Sequence, residues 1–260
     1  MRSLEVGSLA PKPIYPAKLE KCEQSGHTTK MIEVHGLVKY FGRFSALRDL
    51  NLRVGAGEFI ALYGRNGSGK TTLLRILAGL CRPSSGTCRI HLDGLTNLHS
   101  VRGFVGYVSH NTALYQDLTA LENLRFYAKL MNVRGGDQLL VERIDQVGLT
   151  GRETEPVRNF SRGMQQRLAI ARAFLHDPRI MLMDEPFTGL DQTGSDLLKS
   201  YLGKAHSRDK ACIMAIHDAR LGYDLADRIV VIEKGTAALD IPKSSLSLEE
   251  FQEKLTSLTG

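Results

Sequence analysis

No stretch of the 260-residue chain approaches the eighteen or more consecutive apolar residues of a membrane span. The most apolar helical stretch, TTLLRILAGLC (71–81), is interrupted by Arg75. The first thirty residues lack the apolar centre of a signal peptide. The expectation is a chain that neither crosses a membrane nor is led across one. The four cysteines, Cys22, Cys81, Cys88 and Cys212, form no C-x-x-C pair, so the reading is a reduced cytosolic protein with ordinary thiols. There is no internal repeat, and residues 70–160 hold no sustained heptads, which excludes a long coiled coil. Charge of one sign is also scarce. The net charge is +6, and the first thirty residues account for two of it with five Lys/Arg against three Glu. That suits a small anion or an anionic surface nearby and does not argue for DNA.

What is present is a regular alternation. Residues 1–30 carry three of the eight prolines and no period, and read as a disordered tail. From Met31 onward, Ile32 and Val34, then Leu50, Leu52 and Val54, recur at every second residue, as in half-buried strands. EFIALY (58–63), IMLM (180–183), CIMAI (212–216) and IVVI (229–232) are short continuous apolar runs, as doubly buried strands require. Between them, Leu73, Leu74, Leu77 and Leu80 share one helix face, and Met164, Leu168, Ala171 and Leu175 another. The class is α/β with a mostly parallel sheet. An antiparallel β-subdomain is expected from 31–60 and 86–108, an inserted helical subdomain over about 112–172, and a closing helix within 241–260 that starts at a serine cap.

GRNGSGKTT (64–72) follows a buried strand and opens an amphipathic helix, with Gly64, Gly69, Lys70 and Thr71 in the spacing G-x-x-x-x-G-K-[ST]. Glycines let successive backbone N–H groups converge on one anion, and the helix N-terminus adds partial positive charge. Gly64, Arg65, Asn66, Gly67, Ser68, Gly69, Lys70, Thr71 and Thr72 are therefore the expected ATP-binding residues. Lys70 suits the β- and γ-phosphates, Thr71 suits Mg²⁺, and Thr72 suits the α-phosphate. IMLMDEP (180–186) sets Asp184 and Glu185 at the end of a buried strand, where open sheets bind ligands. Asp184 can hold Mg²⁺, and Glu185 can polarise a water.

With SRGMQQRLAIARAFLHDPRIMLMDEPFTGLD (161–191) added, the chain resembles the ATP-binding subunits of ABC transporters over roughly 31–240. That resemblance implies a P-loop NTPase core with an antiparallel β-subdomain and an inserted helical subdomain. It implies an ATPase using ATP and Mg²⁺, working as a homodimer on an integral membrane transport subunit at the cytoplasmic face of the inner membrane, with no nucleic-acid partner. Glu185 and His217 become catalytic residues. Ser161, Arg162, Gly163 and Met164 become the signature that grips the opposite subunit's nucleotide, Asp191 the D-loop carboxylate, and Phe41 the adenine-stacking ring. Tyr40 is the alternative to Phe41, and an aromatic there could equally be core.

Two positions depart from the family pattern. The signature reads Phe160-Ser161-Arg162-Gly163-Met164 rather than L-S-G-G-Q, keeping the serine and second glycine. His110, in YVSHN, stands where the family carries a glutamine; a neutral imidazole still offers one acceptor nitrogen. His110 followed by LTALENL resembles the haem-exporter ATPases of cytochrome c maturation, and S-R-G-M occurs there and in drug, lipid and polysaccharide exporters. His27, His35, His91, His99, His176 and His206 are scattered and read as solvated surface. The competing classes are a soluble ABC-type machine for DNA repair or translation, which needs a coiled coil or a second ATPase unit, and a nucleotide-binding module without catalysis, which Glu185 disfavours. An importer subunit often appends a regulatory β-domain.

Overall fold

The period-two alternation at the start of the sequence becomes a β-hairpin. The computed structural model describes residues 30–92, 102–205, 207 and 209–259. β1 (Lys30–Phe41) and β2 (Phe44–Gly55) pair antiparallel, with Ile32 opposite Val54 and Val34 opposite Leu52. Directly opposed residues share a face, so Ile32, Val34, Leu37, Leu50, Leu52 and Val54 are buried together. There follow β3 (Phe59–Tyr63), α1 (Lys70–Leu77), β4 (Ser85–Ile90), β5 (Val105–Val108), α2 (Ala120–Leu130), α3 (Gly136–Gln146) and α4 (Arg162–Ala173). The remainder is β6 (Ile180–Asp184), α5 (Gln192–Ala205), β7 (Ala211–Ala215), α6 (Ala219–Leu225), β8 (Arg228–Glu233), β9 (Thr236–Pro242) and α7 (Leu248–Thr259).

The strands form a three-stranded sheet in the order β2-β1-β4 and a six-stranded sheet in the order β5-β6-β7-β3-β8-β9. The larger sheet is parallel except for β9. Every residue of β3, β6 and β7 is buried, because both faces of the sheet are covered. Ile60, Leu62, Leu182, Ile213 and Val230 pack toward α1 and the smaller sheet. Their neighbours Ala61, Tyr63, Met183, Met214 and Val231 pack against the helical layer. That is why these strands read as continuous apolar runs rather than alternating ones.

The structure corrects several expectations. The region 86–108 does not belong to one sheet: β4 pairs with β1, whereas β5 lies parallel to β6 at the edge of the core sheet. β9, with only alternate residues partly covered, is an antiparallel edge strand that the sequence reading did not separate. Lys30 already belongs to β1, and the rest of the expected 1–30 tail lies outside the described residues. His176 is not solvated surface: its Nε2 is buried without a hydrogen-bond partner, and burial lowers its pKa. His27, His99 and His206 lie outside the described residues.

Within 112–172 the described elements are helical, α2 to α4. α2 opens on a reciprocal cap, in which Thr119 Oγ1 accepts from Glu122 N at 3.2 Å and Glu122 Oε2 accepts from Thr119 N at 2.9 Å. Ser247 and Glu250 make the same pair at the start of α7. No helix among the described residues is long and apolar enough to cross a membrane.

Candidate active site

Five parallel strands end on one edge of the core sheet, and the chemistry collects in the segments that leave it. From β3 the chain enters the loop 64–69 and then α1. Gly64 has φ 144°, and a Cβ there would collide with the carbonyl of Ile232 and come within 2.6 Å of Ser68 Oγ, so only glycine fits. Arg65, Asn66 and Gly67 are exposed, whereas Ser68, Gly69 and Lys70 are buried. The turn after β8 props the loop from behind, with Gly235 N donating to Ser68 O at 3.0 Å.

Lys70 Nζ donates to the carbonyls of Gly64 at 2.6 Å and Arg65 at 3.1 Å. Burial lowers its pKa, while Glu185 and Asp184 pull the other way. Asp184 is only 3 % exposed. Burial raises its pKa, opposed by a hydrogen bond from Thr71 and by the charges of Lys70 and His110. Burial with the nearby Asp184 charge also pushes the Tyr107 phenol up to about 12.

Glu185 leaves the strand in the left-handed region, φ 53°, with its N–H donating to Ala215 O at 3.0 Å. For a residue with a Cβ this conformation costs roughly 1–2 kcal/mol. It turns the two adjacent carboxylates apart, Asp184 buried and Glu185 partly exposed. His217, just past β7, shares a 2.7 Å hydrogen bond between Nε2 and Glu185 Oε1. Its neighbour Asp218 caps α6 by accepting from Leu221 N at 2.9 Å.

The residues present fit a nucleotide and its metal. The buried Ser68 Oγ has no hydrogen-bond partner in the protein, and it lies in a cradle that a Cβ at Gly64 would fill. Amides 64–70, Lys70, Thr71 and Thr72 can hold phosphates. The Thr71 hydroxyl and Asp184 carboxylate form the sparse oxygen set that suits Mg²⁺, which takes its remaining ligands from phosphate and water.

The structure brings Lys70, Thr71, Asp184, Glu185, His110 and His217 to one edge. The signature residues contact one another and the segment after Glu185. Ser161 is the N-cap of α4, its Oγ accepting from Met164 N at 3.2 Å. Gly163 packs against the carbonyl of Gly189, which a Cβ would meet at 2.9 Å, and Arg162 packs beside Gly189. Asp191 Oδ1 accepts from Gly194 N at 2.8 Å and so caps α5. Phe41 and Tyr40 are each 52 % exposed near the tip of the first hairpin, which removes the core reading for both. Sequence reading missed Gln166, whose buried amide donates to Pro186 O at 3.2 Å and fastens the signature helix to the segment after Glu185. It also missed Arg172, described below. Both are polar residues inside an amphipathic pattern, a signal indistinguishable from an ordinary solvated face.

Comparison with known proteins agrees with this geometry. The ABC transporter family profile matches residues 47–188. The chain is 34% identical over 241 residues to the uncharacterized ABC transporter ATP-binding protein YdbJ of Bacillus subtilis, covering 88% of this chain and 78% of that one. It is 36% identical over 211 residues to the sulfate/thiosulfate import ATP-binding protein CysA of Nitrosomonas europaea, 78% of this chain but only 58% of that longer protein. Among solved structures, the dimeric post-hydrolysis ATP-binding cassette MJ0796 bound to ADP and Pi superposes with a TM-score of 0.74 at 27% identity, covering 82% of this chain and 99% of that one. A loop whose cradle fits phosphate, a buried aspartate beside Thr71, a histidine-paired glutamate and these likenesses agree: the chain belongs to the ABC transporter ATP-binding family, as an ATP-hydrolysing subunit that uses ATP with Mg²⁺.

Proposed function

We propose that the chain powers an export complex, docking as a homodimer on an integral membrane subunit at the cytoplasmic face of the inner membrane. The observation that carries the docking is an apolar patch on the helical subdomain. Tyr115, Phe126 and Leu130 are 48 %, 43 % and 61 % exposed, and the Tyr115 and Phe126 rings meet edge to face at 5.1 Å. The loop holding His110 runs directly into this patch. An exposed cluster of large apolar side chains beside the catalytic edge suits a cytoplasmic helix of a membrane protein.

In this reading Lys70 and the amides of 64–70 hold the phosphates, and Phe41 stacks on adenine. Thr71 and Asp184 hold Mg²⁺, which when bound neutralises phosphate charge. Glu185 accepts the proton of the attacking water, and His217 orients Glu185. Ser161, Arg162, Gly163 and Met164 form the signature that grips the nucleotide of the other protomer, with Asp191 as the D-loop carboxylate. His110 and the Ser161–Met164 signature support haem export for cytochrome c assembly as the cargo to test first, and a drug, lipid or polysaccharide exporter as the alternative. The similarity to sulfate/thiosulfate import proteins favours a second reading, import.

The test is reconstitution with the membrane subunit in inverted vesicles, with wild type and Glu185→Gln. Glu185→Gln is expected to keep ATP binding and lose about 10²-fold or more of hydrolysis. ATP-driven accumulation of haem inside the vesicles supports export; ATP-driven release supports import.

A further inference from the structure

Arg172 lies near the C-terminal end of the signature helix α4, partly buried, with no carboxylate partner among the described residues. Burial lowers its pKa, as expected for a guanidinium moved out of water. Such burial is costly unless the donors are used. Three of the oxygens they reach are main-chain carbonyls on either side of His110, and the Tyr127 side chain also meets the guanidinium. Nη1 donates to Thr112 O at 2.7 Å and to Ala113 O at 3.0 Å, and Nη2 to Tyr107 O at 3.4 Å. One planar group thus spans the mouth of the loop 108–111.

The loop is also tied within itself. Ser109 Oγ donates to Asn111 O, and Asn111 Oδ1 accepts from Ala113 N at 3.3 Å. Ala113 sits at φ 50°, a conformation that needs outside support. Tyr127, on α2, gives that support twice: its hydroxyl donates to Ala113 O at 2.9 Å, and its ring lies under the guanidinium at 5.0 Å. Arg172 therefore touches three things at once: the loop of His110, the helix of the exposed apolar patch, and the helix that begins at Ser161.

We infer that Arg172 is the positioning residue of His110, setting where the imidazole stands relative to Asp184 and tying that position to α4 and α2. The role deepens the docking reading, because it supplies the path by which a push on α2 reaches the catalytic edge. It stands without that reading too, since the clamp exists in the single chain. A lysine cannot substitute. Its ammonium is a point donor that cannot span both sides of the loop or stack flat on Tyr127.

The experiment is a double-mutant cycle on the isolated full-length chain, measuring ATP turnover, thermal unfolding, and hydrogen exchange of the segment 107–114 without nucleotide. Arg172→Lys is expected to cut turnover about 10-fold in the wild-type background and less than about 2-fold beside His110→Ala, the non-additivity of residues that act as one unit. Exchange at 109–113 should speed up in Arg172→Lys while distant helices are unchanged. Tyr127→Phe, which removes one hydroxyl and keeps the ring, should show the same pattern more weakly, and it serves if Arg172→Lys does not fold. Equal losses in both backgrounds, unchanged exchange at 109–113, or full activity of His110→Ala each overturn the assignment. Partner-stimulated turnover of the wild type, measured separately, tests the docking reading alone.

Discussion

At the scale of single residues, the site depends on two neighbouring carboxylates in unlike surroundings. Asp184 is held inside the sheet edge against Thr71, and its raised pKa means that the fold favours the protonated acid. The stability this preference gives is complete below the unfolded pKa of about 3.9 and is lost as pH rises through the higher folded value. Above that folded value the ionised group is therefore a source of instability, one that the proposed metal role would explain. Asp184→Asn should raise the unfolding temperature at pH 7–8 while removing Mg²⁺-dependent turnover. The gap should close as the solution is acidified toward pH 4. Thermal scans across pH decide this. A mutant less stable than wild type at neutral pH would mean that attraction to Lys70 and His110 outweighs burial.

At the scale of elements, α7 is fixed by one ring. Phe251 is fully buried, 5.0 Å from the ring of Tyr63 and 6.0 Å from that of Tyr223. Tyr63 is the last residue of β3, immediately before Gly64, so α7 packs behind the phosphate loop. Phe251→Ala should cost about 3–5 kcal/mol, the usual cost of emptying a buried aromatic site. Urea unfolding reads it, and a loss below about 1 kcal/mol would show that α7 is a loose appendage. The helix itself could be read from the sequence, because Ser247 and Glu250 form a cap from neighbouring residues. So could β3, β6, β7 and β8, whose unbroken apolar runs follow from burial on both faces. β5 was assigned to the wrong sheet, since VGYV states that it is a strand and nothing about its partner. β9 alternates too weakly to announce itself. The same division holds in the site. Lys70, Thr71, Asp184 and Glu185 are set by local spacing around strand ends, whereas the bonds of Gln166 and Arg172 join segments 20 and 60 residues apart.

At the scale of the whole molecule, the signature lies on a different element from the phosphate loop. Ser161 presents a helix N-terminus, and its own hydroxyl accepts from Met164 N. In the proposed twofold dimer that terminus would face the other protomer's nucleotide. Ser161→Arg should leave nucleotide binding by the single chain nearly intact and abolish turnover; binding of a fluorescent ATP analogue beside steady-state hydrolysis measures both. Loss of both to the same degree would place Ser161 in its own protomer's site. The common edge of the parallel strands has a last consequence, for how such a molecule can change over generations. Each chemical group is carried on its own segment, and each segment is anchored in a strand that takes no part in the reaction. One segment can be exchanged while the others keep their places.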